Sequence, residues 1–457
     1  MVSRAFDPIL SRLGAGTTSA AALEQALGRS PSWVNAALRG LIDSGRVVRI
    51  GSRRGARYGL RREIAGSDSA WPLHRVGRDG EFVELGTLHA LAANEYYLEA
   101  STAALAGGFA VPPLNIGIPY LLQDQRPGGF LGRAVPSRYP ELSAPPRVRD
   151  WSDEHYLRYL TAFGSDEVGD LILGRAAFDR YVAQARVAAP IDAGERARHF
   201  PQLAEAGLRA GLPGSSPHGE HPKFAVTLLE HRAARPVLVK FSPPIGEPVG
   251  QRWSDLLIAE HCALETLRAA GVASASSRLF QLGGRTFLEV DRFDRSGAIG
   301  RIGVTSLLAI DASLYGRLDN WIASADRLCR ARRIDASTLE QIRLLSSFGD
   351  LIANTDKHFG NLAFFDSYDG RFGLAPVYDM LPMLFAPEHE ELVARTFSPT
   401  VPSAETLSVW ARARALAEGY WRTLALDEQL SADFRRISRV CLEALEALPR
   451  TGPYAPR

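Results

Sequence analysis

"NTDKHFGN", residues 354–361, and "VYDM", residues 377–380, decide how the rest of this 457-residue chain is read. Both segments set carboxylate or amide side chains where strands meet loops, with a short strand pair between them. Transfer of a phosphoryl group requires a carboxylate close to the attacking hydroxyl and oxygen ligands that hold magnesium against the β and γ phosphates. Asp356, Asn361 and Asp379 supply such a set. The five-residue step from Asp356 to Asn361 equals the step between catalytic aspartate and metal-binding asparagine in the protein-kinase pattern H-R-D-x-x-x-x-N. Asp379 then stands where D-F-G carries its aspartate. His358 has two readings, a support for the loop or a reactive group beside Asp356.

Toward the N-terminus, Lys240 ends the apolar run "PVLVK" (236–240), an isolated charge suited to the α and β phosphates. Kinases orient that lysine with a helical glutamate, and Glu260 fits the part. It lies four residues after Leu256 and four before Leu264, inside the apolar stripe of its helix, where an acid requires a partner. The loop "GLPGSSPHGEHPKF" (211–224), with Ser216 and Gly219, has the glycines and small hydroxyl residues that let backbone N–H groups approach phosphates. It is neither a Walker A sequence nor G-x-G-x-x-G.

The start of the chain has a different character. Residues 1–65 hold eleven arginines against four acidic residues, a surplus of +7 where the whole chain carries +2. Helical apolar spacing occurs three times there, with caps expected at Thr18 and Ser30, and a hairpin of "RVVRI" and "RYGL" follows around the turn "GSRRGA". Three helices and a basic hairpin describe a winged helix-turn-helix. Ser32, Asn35 and Arg39, with Ser30, are expected to face the major groove, and Arg53, Arg54 and Arg57 of the wing to grip phosphates. Trp33, Val34, Ala37, Leu38 and Leu41 are expected in the core. A use in protein contact is the alternative for this segment.

"AGSDSAWP" (65–72) reads as a linker, and the domain boundaries drawn are 1–65, 70–200, 201–300 and a helical 301–457. The fold class expected is α+β. Three separated cysteines make neither metal-ligand spacing nor a disulfide framework, which suits a reducing compartment. No apolar run reaches the ~18 residues of a membrane span, and the signal-peptide pattern is missing, so a cytoplasmic protein without a membrane partner is expected.

"GSSPHGEHPK", "VLVKF", "EVDRFDR", and "NTDKHFGN" with "APVYDM" occur together and in order, and as a set they resemble the kinase core of the HipA family of serine/threonine kinases, toxins of toxin-antitoxin systems. "FLGR" (130–133) resembles part of that family's N-terminal subdomain. The resemblance covers residues 70 to 450, and the fused winged helix resembles the YjjJ-type subgroup. It implies a two-lobed fold using ATP and magnesium, with Asp356 as catalytic base, Asn361 and Asp379 on magnesium, and Lys240 with Glu260 on the phosphates. It further implies a hinge at "VDRF" that meets adenine through Asp291 and Phe293, Asp291 standing where relatives carry glutamate. Ser216 falls where the HipA toxin autophosphorylates. Partners implied are DNA through residues 1–65 and a protein substrate, for which the family offers aminoacyl-tRNA synthetases; helix-turn-helix proteins often dimerise, but the sequence carries no dimer signature, and a homodimer stays open. Two rivals stay open: a DNA-binding repressor whose kinase-like part is an inactive sensor, and a small-molecule or lipid kinase.

Overall fold

The computed structural model describes residues 6–52, 55–64, 66–187, 190–210, 221–388 and 391–448. Among them the first unit has three helices, α1 (Asp7–Gly14), α2 (Ala20–Leu27) and α3 (Pro31–Asp43). A small antiparallel sheet of β1 (Thr18–Ser19), β2 (Val47–Ile50) and β3 (Arg57–Leu60) completes it, in the order β1-β3-β2. Ser30 caps α3, its hydroxyl accepting from the Trp33 N–H at 3.4 Å, and Pro31 presets the first turn. Ser19, not the expected Thr18, caps α2, because Thr18 is held in register opposite Tyr58. The 3.6-residue period turns Val34, Ala37, Leu38 and Leu41 onto Ile9, Leu13 and Leu23, while Trp33 is half-buried.

The second unit is an antiparallel sheet of β4 (Ala70–Val76), β5 (Phe82–Ala90), β6 (Glu95–Ala100), β7 (Leu114–Ile116) and β8 (Leu171–Leu173), ordered β7-β6-β5-β4-β8. Helices α4 (Thr102–Ala106), α5 (Gly129–Arg133), α6 (Val135–Arg138), α7 (Asp153–Phe163) and α8 (Arg175–Val187) accompany it. Strand β4 starts inside "AGSDSAWP", so the linker is shorter than expected, and Trp71 is buried. The first unit rests on this sheet. Val48 and Ile50 of β2 pack with Leu91, Tyr97 and Leu114, and the Thr17 N–H donates to Glu95 Oε2 at 2.7 Å. Beside them Arg62 donates to the Tyr96 hydroxyl at 2.6 Å.

A further five-stranded sheet contains β9 (Ile191–Asp192), β10 (Lys223–Glu230), β11 (Ala233–Phe241), β12 (Ser277–Leu282) and β13 (Arg285–Asp291), ordered β12-β13-β11-β10-β9. With it pack α9 (Arg196–Ala210) and α10 (Pro248–Ala269). Because β9 pairs in parallel with β10, this sheet begins ahead of the boundary expected at 201. A hairpin of β14 (Arg295–Ser296) and β15 (Gly300–Arg301) leads to a small sheet of β16 (Val304–Ser306), β17 (Ala363–Asp366) and β18 (Phe372–Leu374). Five helices make up most of the remainder: α11 (Leu307–Leu314), α12 (Trp321–Arg330), α13 (Ala336–Leu351), α14 (Leu407–Leu426) and α15 (Ala432–Glu446).

One continuous apolar core runs from Trp71 and Tyr96 through Leu256 and Leu264 of α10 to Trp421 and Phe434. Charged contacts fix the β4-containing sheet to the segment after β13. Asp294 accepts from Arg292, from Arg295 and from the Gly169 N–H, and Arg75 pairs with Asp170 at 2.8 Å. Among the described residues no helix is long and apolar enough to cross a membrane.

Candidate functional site

Strand β11 ends by carrying Lys240 inward, where only 5% of it is exposed. About three turns into α10, Glu260 is 1% exposed and takes the ammonium group on both carboxylate oxygens at 2.7 Å. Asp379 accepts a third hydrogen bond from the same ammonium group. Burial alone would pull the lysine toward neutrality, but the carboxylates of Asp379 and Glu260 outweigh it and keep Lys240 protonated well into the alkaline range. Burial likewise opposes the charge on Asp379, and Lys240 and then Lys223 overcome it, holding the carboxyl at about 2. Asp379 adopts φ 51°, a left-handed conformation rarely used by residues other than glycine.

The loop after α13 is built as tightly. Ala353 (φ 60°) ends the helix in the left-handed region, and the Asn354 N–H returns to the Gly349 carbonyl at 2.9 Å. Asn354 is buried, its side-chain oxygen accepting from the Asp356 N–H at 3.0 Å. The Asn361 side-chain amide donates to the Asp356 carbonyl at 2.9 Å, so the five-residue step closes into one turn. The Tyr378 hydroxyl then donates to the Gly360 carbonyl at 2.5 Å and ties this loop to the segment bearing Asp379. Asp356 itself is exposed. Partial desolvation raises its pKa, and the charge of Asp379 adds to that against the pull of His358 and Lys240. The two carboxylates therefore share one neighbourhood and differ in proton affinity.

His358 faces solvent, and its Nδ1 accepts from the Gly360 N–H at 3.0 Å while its carbonyl accepts from Trp321 Nε1 at 3.1 Å. That is the geometry of a loop support. Asp291 ends β13 and pairs with Arg235 at 2.5 Å, and the Phe293 ring meets Tyr378 at 5.6 Å and Phe365 at 6.2 Å. Lys240, Glu260, Asp356, Asn361 and Asp379 thus come together, with Phe293 one ring away through Tyr378. Ser216 and Gly219 lie outside the described residues.

Two contributors had no role in the sequence reading. Lys223 pairs in register with Lys240 across the β10–β11 hairpin, which sets both on one face. Only strand register exposes that neighbour relation, although "HPKF" was visible. Asn354 opens the motif and holds Asp356 in place; it was legible as a residue but not as a bond.

On the first unit, Ser32, Asn35 and Arg39 project from the exposed side of α3. Arg57 instead sends its guanidinium back to the Thr17 hydroxyl at 3.2 Å and to the Thr17 carbonyl. Arg53 and Arg54 lie outside the described residues.

Residues 215–448, which carry the buried lysine–glutamate–aspartate cluster and the aspartate–asparagine loop, match the HipA-like C-terminal domain. Residues 67–182 match the YjjJ-like toxin middle domain, and the chain is 33% identical over 411 residues to Toxin YjjJ of Escherichia coli (strain K12), covering 88% of this chain and 90% of that one. It belongs to the HipA family of toxins, in the YjjJ-like group. Among solved structures, a Shewanella oneidensis MR-1 toxin–antitoxin complex of HipA, HipB and operator DNA resembles it in fold, with TM-score 0.54 at 14% identity over 82% of this chain and 96% of that one.

Proposed function

We propose that this chain is an ATP- and magnesium-dependent serine/threonine protein kinase with its own winged-helix DNA-binding domain, acting as a toxin or an autoregulatory protein. The observation that carries the reading is the convergence of Lys240, Glu260 and Asp379 beside the loop that presents Asp356 and Asn361. Lys240 grips the phosphates, oriented by Glu260, in a two-lobed kinase arrangement. Asp356, exposed toward the cleft, orients a serine or threonine hydroxyl and takes its proton.

The donor set suits magnesium. Asp379 offers a carboxylate, and Asn361, whose NH2 group is engaged with Asp356, has its amide oxygen for a hard cation. Bound there, magnesium would neutralise the charge that builds on the phosphates. Asp291 and Phe293 stand at the hinge for adenine.

The purified protein with γ-labelled ATP and cell lysate tests this. Label should appear on protein with wild type and vanish with Asp356→Ala or Asp379→Ala, each still folded by circular dichroism; transfer retained by either folded variant would overturn the residue roles. Label on a metabolite would point to the small-molecule rival, and operator binding with no transfer to the repressor.

For the N-terminal unit, the exposed row Ser32, Asn35 and Arg39 on α3 supports groove binding. The fold relative's complex with operator DNA and HipB is consistent with it. Arg39→Ala should weaken DNA binding about tenfold or more and flatten its salt dependence. An unchanged affinity at both high and low salt would favour a protein-contact role.

A further inference from the structure

Just past β13 the chain closes a turn, the Arg295 N–H donating to the Arg292 carbonyl at 3.1 Å, and Phe293 stands in that turn. One end of the turn is held by its own sheet, where the Arg292 N–H donates to the carbonyl of Pro236 on β11 at 3.1 Å. The other end is held from a different sheet. The Arg295 side chain is 7% exposed, and its guanidinium donates to three carbonyl oxygens of the loop between α7 and β8, those of Gly169 at 3.1 Å, Asp166 at 3.2 Å and Glu167 at 2.7 Å. It also reaches the Asp166 carboxylate at 2.8 Å and the Asp294 carboxylate at 2.6 Å. Burial opposes the charge on Asp294, and Arg295 and then Arg292 overcome it, holding that carboxyl well below the usual range. The receiving loop is itself fixed: the Gln125 side-chain amide donates to the Val168 carbonyl at 3.3 Å and to the Leu171 carbonyl at 2.9 Å, and the Tyr159 hydroxyl donates to the Glu167 carboxylate. Only the planar, five-donor fork of arginine reaches so many acceptors at once; lysine would keep the charge and leave carbonyls unpaired.

Resting on the kinase reading above, in which Phe293 stands at the hinge for adenine, we propose that Arg295 is a positioning residue for the nucleoside: it staples the Phe293 turn to the loop between α7 and β8, so that the unit built on β4 sets the place of the hinge. The arginine acts through Phe293 and not by contact with the ligand. With the staple, the turn has anchors on two sheets and cannot swing with β13 alone. Without it, the Gly169 N–H still donates to Asp294 at 3.2 Å, so the turn loosens but does not unfold. The effect therefore falls on the adenine side of the ligand and spares the phosphates, which Lys240 grips from the far end of β11.

Calorimetric titration of the full chain with adenosine, with magnesium and the non-hydrolysable triphosphate AMP-PNP, and with magnesium tripolyphosphate tests this. Arg295→Lys keeps the charge beside Asp294 and Asp166 and loses the fork, whereas Arg295→Met loses both. The expected result is an affinity for adenosine and for AMP-PNP about fivefold lower in Arg295→Lys, and lower again in Arg295→Met, with tripolyphosphate bound as in wild type. Tyr181→Phe is the control: it removes the hydroxyl bond to the Ile299 carbonyl at 2.7 Å, which ties the tip of the β14–β15 hairpin to α8, and it should leave all three affinities unchanged. If Arg295→Met melts early, the comparison rests on Arg295→Lys, with tripolyphosphate binding as the check on an intact cleft. Adenosine and AMP-PNP affinities equal to wild type in folded Arg295→Lys overturn the proposal. An equal loss for tripolyphosphate, or an equal loss in Tyr181→Phe, overturns it too, because either would mark a general loosening of the fold. Wild-type protein that binds none of the three defeats the kinase reading itself, a result distinct from wild-type binding with an indifferent Arg295→Lys.

Discussion

Lys240 holds two carboxylates that would otherwise repel one another, and it does so almost sealed from water. Removing one member of such a group leaves a buried charge without a partner, so the cluster is resistant to piecemeal change. Asp366 is a buried carboxylate in the opposite condition. It is 2% exposed and pairs with no cation among the described residues; it accepts instead from the hydroxyls of Tyr120 at 3.1 Å and Thr305 at 3.2 Å and from the Tyr368 N–H at 2.6 Å. Desolvation wins over those hydrogen bonds and lifts its pKa to about 6. A carboxyl raised above its unfolded value of ~3.9 favours the fold most when protonated. Its stabilising effect is complete below about pH 4 and is lost as pH rises through about 6. Asp366→Asn should therefore gain melting temperature relative to wild type between pH 4 and pH 7, by an amount equivalent to at most ~3 kcal/mol. A difference between the two proteins that does not change with pH would show that Asp366 ionises freely.

At the scale of elements, the end of α13 aims the Asp356 loop, and it does so with an alanine where glycine is the usual choice. A left-handed non-glycine residue costs about 1 kcal/mol, partly offset because glycine is freer in the unfolded chain. Ala353→Gly should raise stability by about 0.5 kcal/mol in urea unfolding, and a loss of stability would mean that the methyl group packs favourably. Helix faces were the easiest elements to read from sequence. Val34, Ala37, Leu38 and Leu41 are buried as expected because the 3.6-residue period leaves few alternatives. The same logic gave Glu260 a buried place and predicted its need for a partner. Strand β9, two residues long, has no period to detect, and so the sheet's start was placed too late. Lys223 and Tyr378 act through pairings set by register and by loop closure, which no local pattern encodes. Arg57 looked like any wing arginine until the fold brought Thr17 within reach.

Over the whole molecule, the first unit is seated on the neighbouring sheet, and the short connection at Ile64–Ser67 closes with a bridge of its own. Glu95 is a principal fastener through the Thr17 N–H. Glu95→Ala should loosen the seat, so that limited proteolysis cuts between residues 60 and 70 faster than in wild type while the segments bearing Asp356 and Asp379 resist as before. Equal cutting rates would place the burden on the apolar contact of Val48, Ile50, Leu91, Tyr97 and Leu114. The seat has a geometric corollary. Were α3 to enter a duplex as proposed, the rest of the chain would point away from the helix axis at one set angle, like a flag fixed to its pole. Two such chains on adjacent recognition sequences would keep a constant rotation about the axis, and inserting about five base pairs, half a helical turn, would swing them to opposite sides of the DNA. The duplex, and not the polypeptide, would then have to twist to bring them back together.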